Sequence, residues 1–235
     1  MNLINLLRGR QNKKSERNYK NLEKCFIKFI NKTPPIGKCI ICIDDKNIKK
    51  IKKKIKTKNI LTYGFSPNAD YQIIKAKYNI NNCKFDLIVK NFLGRKKIIK
   101  NIILNLMGKH NILNSVAAIS VCLNLGVKIQ IIKKALKKFS GVQRRMTKIF
   151  EKNGNEFYDD YAHHPTEILS VLSGLRQVYK KRKIISVFQP HRYSRFKNLK
   201  KEFASCFSMS DQVLLCPMYA AGEKKDRSYS QNNFA

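Results

Sequence analysis

The sequence predicts an α/β protein in two parts, a mixed unit followed by a Rossmann-like βαβαβ unit. Three observations carry this prediction. Beyond residue 155, strand-like apolar runs alternate strictly with amphipathic helical ones, the pattern of a parallel sheet with right-handed crossovers. Between residues 60 and 106, four strand-like runs rich in Ile, Tyr and Phe follow one another, the last three with only short polar links. Two loops at the carboxyl ends of expected strands, Asp159 to Glu167 and Phe188 to Arg195, hold three of the chain's four histidines, and that edge of an open α/β sheet is where ligands bind.

Taken in order, residues 1–16 are basic and polar and are expected to be a disordered leader. From Asn18 to Asn31, Tyr19, Leu22, Phe26 and Phe29/Ile30 recur at helical spacing, and Pro34-Pro35 stops the helix. Cys39 to Ile43 reads as a buried strand, Asp44-Asp45 as a turn or cap, and Lys46 to Lys56 as a lysine-rich helix. Strands are expected at Ile60 to Tyr63, Tyr71 to Tyr78, Phe85 to Lys90 and Ile98 to Leu106, the last three as an antiparallel meander. Gly108-Lys109-His110-Asn111 opens a helix from Ile112 to Leu125, closed by Gly126 where a left-handed cap is favoured. A second helix, Ile129 to Phe139, ends at Ser140-Gly141, and the domain boundary is expected near Gly141 to Arg145. Asn153-Gly154-Asn155 marks a hairpin or linker. Strand Glu156 to Tyr161, helix Thr166 to Tyr179, strand Ile184 to Phe188, helix Arg195 to Phe207 and strand Gln212 to Cys216 complete the alternation. Pro165 pre-sets φ in the first turn of its helix, where its missing N–H costs nothing.

Composition narrows the function classes. With 235 residues and 43% apolar content the chain can build real cores. Lysine and arginine total 49 against 15 acids, a formal charge of +34, which raises the question of nucleic acid. The lysines are spread through nearly the whole chain with Ile and Asn, as a codon-bias composition would give, and form no stripe interleaved with aromatics. No specific nucleic-acid partner is expected. Seven cysteines make no regular framework, and the Cys39/Cys42 pair lies inside a strand-like run with no second pair at ligand spacing, so buried thiols in a reducing compartment are expected and metal sites are not. No run of 18 apolar residues and no signal-like leader occurs, which predicts a cytoplasmic protein without membrane contact.

The two loops carry the chemistry. Asp159 and Asp160 end a strand, where a carboxylate can accept ribose hydroxyls, hold hydrated magnesium or simply make a turn. Of the adjacent His163 and His164, one is expected to face a ligand and the other to cap or pack. Arg192 and Arg195 flank Tyr193-Ser194 at a helix start, and their guanidinium forks with His191 suit a carboxylate or phosphate. His110, Asn111 and Asn114 begin another helix, where the asparagines can bind a base or cap. Arg144-Arg145 follows Gly141-Val142 and can clamp a phosphate or lie on the surface.

Together, GKHNILNSVAA at 108–118, FSGVQRRM at 139–146, DDYAHHPTEI at 159–168, FQPHRYSR at 188–195 and YAAGE at 219–223 resemble, in order and spacing, the Mur ligase family, with milder resemblance through TYGFSPNAD at 62–70. The HRYSR form of the second loop favours the branch that adds L-alanine to UDP-N-acetylmuramate, over the branch that attaches a whole murein peptide. The resemblance implies ATP- and magnesium-dependent chemistry for peptidoglycan precursors: the muramate carboxylate takes the γ-phosphoryl group, and the alanine amine displaces phosphate from the acyl phosphate. It implies that His110, Asn111, Asn114, Arg145 and Asp160 contact ATP, and that Tyr161, His163, His191, Arg192 and Arg195 form the alanine pocket, with His163 closest to the chemistry.

The resemblance also implies what is missing. The chain would comprise a partial central (ATPase) domain at 17–143, a partial C-terminal domain at 144–223 that stops after its third strand, and a polar tail at 224–235. The phosphate-binding GxHGKT loop, the UDP-binding domain and the family's magnesium ligands have no counterpart, since Gly37-Lys38-Cys39 and Gly108-Lys109-His110 lack the glycine spacing and the hydroxyl. The expectation is a chain inactive alone, dependent on a separate polypeptide carrying those parts, with a non-catalytic gene remnant or a basic nucleic-acid-binding protein as the alternatives.

Overall fold

A computed structural model describes residues 13–225 and divides the chain into two compact units, one over Glu16–Ser140 and one from Gly141 onward. In the first, helix α1 (Lys13–Asn31) precedes strand β1 (Cys39–Cys42), helix α2 (Lys46–Lys52), strands β2 (Ile60–Gly64), β3 (Tyr71–Tyr78), β4 (Cys83–Phe92) and β5 (Arg95–Leu104), and helices α3 (Lys109–Asn124) and α4 (Ile129–Lys138). The strands form one sheet in the order β1-β2-β3-β4-β5, parallel through β3 and antiparallel beyond it, so the expected meander is present. α3 packs on β1, β2 and β3, and α4 on β5. The core is built by alternation: Tyr71 and Ile73 of β3, Phe85, Leu87 and Val89 of β4, and Ile99 and Ile102 of β5 meet Ile112, Val116 and Ile119 of α3. Each such side chain contributes about 1.5–3 kcal/mol by leaving water.

The segment Thr62 to Asp70 owes its form to two aspartates. Asp44 Oδ2 accepts the Phe65 N–H at 2.7 Å and Oδ1 the Ser66 N–H at 3.0 Å, while Asp70 Oδ2 accepts the Thr62 N–H at 2.8 Å and its hydroxyl at 2.6 Å. Gly64, at φ +154°, brings its backbone so near Asp44 that an added Cβ would lie 2.5 Å from Oδ1. Only glycine permits this approach. The clasp lets β3 start level with the end of β2, Tyr63 beside Tyr71, so the two pair in parallel across a short connection. Asp45 takes the cap instead, accepting the Asn47 and Ile48 N–H groups at the start of α2.

The second unit contains strands β6 (Thr147–Lys152) and β7 (Asn155–Asp159), helix α5 (Pro165–Val178), strand β8 (Ile185–Phe188), helices α6 (Tyr193–Asn198) and α7 (Lys200–Cys206), and strand β9 (Gln212–Leu215). Its core is Ile168 and Leu172 of α5, Phe188 of β8, and Phe196, Leu199, Phe203 and Cys206 of the helices that follow. Arg176 fastens the end of α5 to β9, with Nη2 2.6 Å from Asp211, while Asp211 accepts the Ile184 N–H at 2.7 Å.

Several expectations are corrected. The βαβαβ alternation does not form one parallel sheet: β8 and β9 pair in parallel, whereas β7 pairs antiparallel with β6 and, among the described residues, with no other strand. The reason is local. Asn153 and Gly154, both at positive φ (50° and 72°), make the two-residue turn that closes a hairpin without a crossover. Strand β6 has no counterpart in the sequence reading, since in Thr147–Lys152 the apolar Ile149 and Phe150 are adjacent rather than alternating and all but the first residue are exposed. β7 ends at Asp159, leaving Asp160 and Tyr161 to the loop. The helix expected from Arg195 to Phe207 starts at Tyr193 and breaks at Leu199, and α2 ends at Lys52 rather than Lys56. α1 begins at Lys13, so the last residues of the expected leader are helical, while residues 1–12 and 226–235 lie outside the described residues. No described helix is long and apolar enough to cross a membrane.

Candidate amino-acid site

The second unit gathers its functional side chains where β7, β8 and β9 end. After β7, the Asp160 carboxylate braces the turn, accepting the Ala162 N–H on Oδ1 at 2.7 Å and the Met146 N–H on Oδ2 at 2.9 Å. The neighbouring histidines divide. His164 is buried, 4% exposed, and caps α5 through Nδ1, which accepts the Thr166 N–H at 3.3 Å. His163 turns the other way, its Nδ1 2.9 Å from the Tyr161 carbonyl and its ring edge-on to Tyr161 at 5.0 Å. A carbonyl only accepts, so His163 Nδ1 is the donor of this bond. Glu167, one turn into α5, accepts the His163 N–H at 3.3 Å and stands 3.8 Å from Nδ1.

The second loop meets the first through its rings. His191 lies 6.1 Å from His163 and 5.2 Å from Tyr219, centroid to centroid. Arg195 Nη1 donates to His191 Nδ1 at 3.4 Å, which assigns the proton to His191 Nε2. Four of the five expected pocket residues, Tyr161, His163, His191 and Arg195, thus form one chain of contacts. The fifth, Arg192, lies on the same loop with its side chain exposed and its backbone at φ 71°, ψ 125°. Among the described residues no carboxylate forms an ion pair with Arg192 or Arg195. Burial, then Arg195 and His163, hold His191 below its usual pKa, and burial with Arg192 lowers Arg195. Burial likewise lowers the pKa of His164, with Glu167 acting against it and Arg195 and His163 in the same sense. The arrangement suits an anion of carboxylate size.

Sequence reasoning gives Arg144 only the choice of phosphate clamp or surface charge, and gives Tyr219 and Glu223 no role. Arg144, paired with Asp159 at 3.3 Å, lies over the Tyr161 ring at 4.8 Å. Tyr219 and Glu223 join β9's exit to the second loop. The YAAGE motif signalled the latter pair, but nothing in its spacing says what they touch.

Two family profiles match the chain, one described as the Mur ligase middle domain over residues 16–122 and one as the Mur ligase, glutamate ligase domain over residues 144–234. The chain belongs to the Mur ligase family. UDP-N-acetylmuramate–L-alanine ligase from Pelagibacter ubique is 51% identical over 217 residues, 92% of this chain and 47% of the relative. The protein of the same name from Bartonella tribocorum is 39% identical over 85% of this chain and 42% of its own. The crystal structure of UDP-N-acetylmuramate-alanine ligase from Thermotoga maritima matches with a TM-score of 0.66 at 25% identity, covering 88% of this chain and 44% of that one. The chain therefore spans just under half the length of the Mur ligases it matches.

The residues expected to meet ATP are divided between the units. In the first, Asn111 Nδ2 donates to the Met107 carbonyl at 2.9 Å, which leaves Oδ1 as an acceptor, and Asn114 is exposed one turn on. His110 folds back over Gly108, whose missing Cβ would lie 2.9 Å from the ring at φ +96°. In the second unit, Arg145 is exposed, and both carboxylate oxygens of Asp160 already accept backbone N–H groups. The amide groups of Asn111 and Asn114 have the chemistry to meet a base edge, the Arg145 guanidinium that to meet a phosphate, and no GxHGKT loop occurs in the sequence. Among the described residues no group of three or more His, Cys, Asp or Glu is placed to hold a metal ion.

Proposed function

We propose that this chain supplies the amino-acid pocket, and part of the nucleotide site, of a ligase that joins L-alanine to UDP-N-acetylmuramate through an acyl phosphate. The observation that carries this reading is the contact chain Tyr161–His163–His191–Arg195, with Arg192 on the same loop and, among the described residues, no ion pair to either guanidinium. Arg195 and Arg192 would take the amino acid's carboxylate, where a bidentate charge-assisted pair is strongest. His163 would offer its Nε2 lone pair to the amine as it loses a proton on attacking the acyl phosphate. Arg144 and Tyr161 would wall the pocket.

His110, Asn111 and Asn114 would face adenine, Asp160 the ribose through its remaining lone pairs, and Arg145 the phosphates. ATP, when bound, supplies the phosphoryl group that activates the muramate carboxylate. We propose that the 235 residues given, which hold no GxHGKT loop, act with a polypeptide that carries that loop, the UDP-binding part and the magnesium ligands, and are inactive without it. The seven thiols, all free, favour the cytoplasm.

Phosphate release in the presence of ATP, magnesium, UDP-N-acetylmuramate and L-alanine tests the proposal. The expected result is silence from the purified chain and alanine-dependent release once a polypeptide bearing the missing parts is added. Alanine-dependent release by the chain alone would overturn the claim of dependence, and no release from any such mixture would overturn the ligase reading.

A further inference from the structure

The segment from Tyr219 to Glu223 has no role in the reading above, yet it makes the contacts that hold the arginine loop. The Arg192 N–H donates to the Tyr219 carbonyl at 2.9 Å, and the Tyr219 N–H donates to the Pro190 carbonyl at 2.8 Å, so the β8–β9 pairing continues as a bridge between His191 and Tyr219. The Tyr219 ring packs beside His191 at 5.2 Å. Four residues on, Glu223 accepts the Ser194 N–H at 3.0 Å with Oε2 and the Ser194 hydroxyl with Oε1.

These contacts matter because the loop they hold is strained. Arg192 at φ 71°, ψ 125° occupies a region that a side-chain-bearing residue avoids, and such a conformation persists only where its surroundings over-determine it. The Tyr219 carbonyl fixes the residue from its N–H side. Two residues later Glu223 fixes the first turn of α6, whose Phe196 N–H returns to the Arg192 carbonyl at 3.2 Å. Arg192 is thus pinned on both sides, and with it the direction of Arg195, one turn into the helix.

We propose that Tyr219 and Glu223 are positioning residues, a latch that holds Arg192 and Arg195 in the geometry that receives an amino acid's carboxylate. The part concerning the amino acid rests on the function proposed above, whereas the latch itself does not.

Amide hydrogen exchange and L-alanine titration on the ¹⁵N-labelled chain test the two parts separately. Glu223→Ala should raise exchange at Ser194, Phe196 and Leu199 about tenfold, the effect of losing a charge-assisted hydrogen bond, and leave the β3–β5 amides and the melting temperature unchanged. Glu223→Gln keeps an acceptor in place and should restore exchange to within about threefold of the parent. Unchanged exchange in Glu223→Ala, or no rescue by glutamine, would overturn the latch. If the parent binds L-alanine, Glu223→Ala should weaken it about tenfold with glutamine again restoring it, and equal binding by the alanine variant would overturn the positioning role. A parent that shows no L-alanine shifts refutes the amino-acid reading, and with it the positioning role, while the exchange data decide the latch alone.

Discussion

Replacing Gly64 with alanine tests the reasoning about the first unit most sharply. The new Cβ would stand 2.5 Å from Asp44 Oδ1 and 2.7 Å from its Cγ, so the carboxylate must leave. Leaving breaks its bonds to the Phe65 and Ser66 N–H groups, which measure 2.7 and 3.0 Å. Hydrogen bonds to a charged acceptor contribute about 1.5–3 kcal/mol each, so the expected loss for the two is about 3–6 kcal/mol, a large part of the roughly 5–15 kcal/mol of a typical domain. Urea denaturation followed at the Ile73 and Leu87 amides reads this unit alone. Asp44→Ala should be destabilising too, but the double variant should cost less than the sum by at least about 1 kcal/mol, because without the carboxylate the alanine methyl has nothing to displace. Gly64→Ala within about 0.5 kcal/mol of the parent, or strict additivity in the double variant, would refute the account.

Three further predictions concern the second unit. His164 is held neutral by burial, so its folded pKa lies below the ordinary 6.5 while the unfolded chain still takes up the proton. The stability of this unit should therefore be level above about pH 7 and fall as pH drops through 6.5 toward the lower folded value; His164→Asn, which can still cap α5, should flatten that slope in thermal melts at pH 5 to 8, and an unchanged slope would count against burial of the neutral form. Tyr179, 8% exposed, donates to Glu156 at 2.6 Å, so Tyr179→Phe should cost about 1–2 kcal/mol in urea unfolding, and no loss would show the bond contributes nothing. Arg195→Lys keeps the charge but loses the fork and should weaken L-alanine binding in NMR titration about tenfold or more, whereas parity with arginine would argue against two-point carboxylate recognition.

Much of this fold could be read from the chain because its signals are local. The strand-like run Tyr71 to Tyr78, the Gly126 cap and Pro165 at the start of α5 all act within a few residues, and each lies where expected. The partner of a strand is not a local property. The pattern at Glu156 to Asp159 is the same whether the strand joins a parallel sheet or folds back on Thr147–Lys152, and the turn at Asn153-Gly154 decided for the hairpin. The site divides the same way. Residue types at 161–164 and 191–195 announced anion chemistry, and the adjacency of His163 and His164 required that they point apart. That Arg144 would cover Tyr161, or that Glu223 would hold Ser194 from 29 residues away, depends on how strands and loops return, which spacing does not encode.

The central claim is that the loops after β7 and β8 form a pocket for an amino acid's carboxylate, and the amide spectrum of the labelled chain titrated with L-alanine and, separately, with L-alaninamide tests it most directly. The account predicts saturable shifts confined to residues 161–164 and 189–195 with L-alanine, much weaker ones with the amide, and their loss in Arg195→Ala. Equal shifts from both compounds, shifts centred elsewhere, or none at all would contradict it.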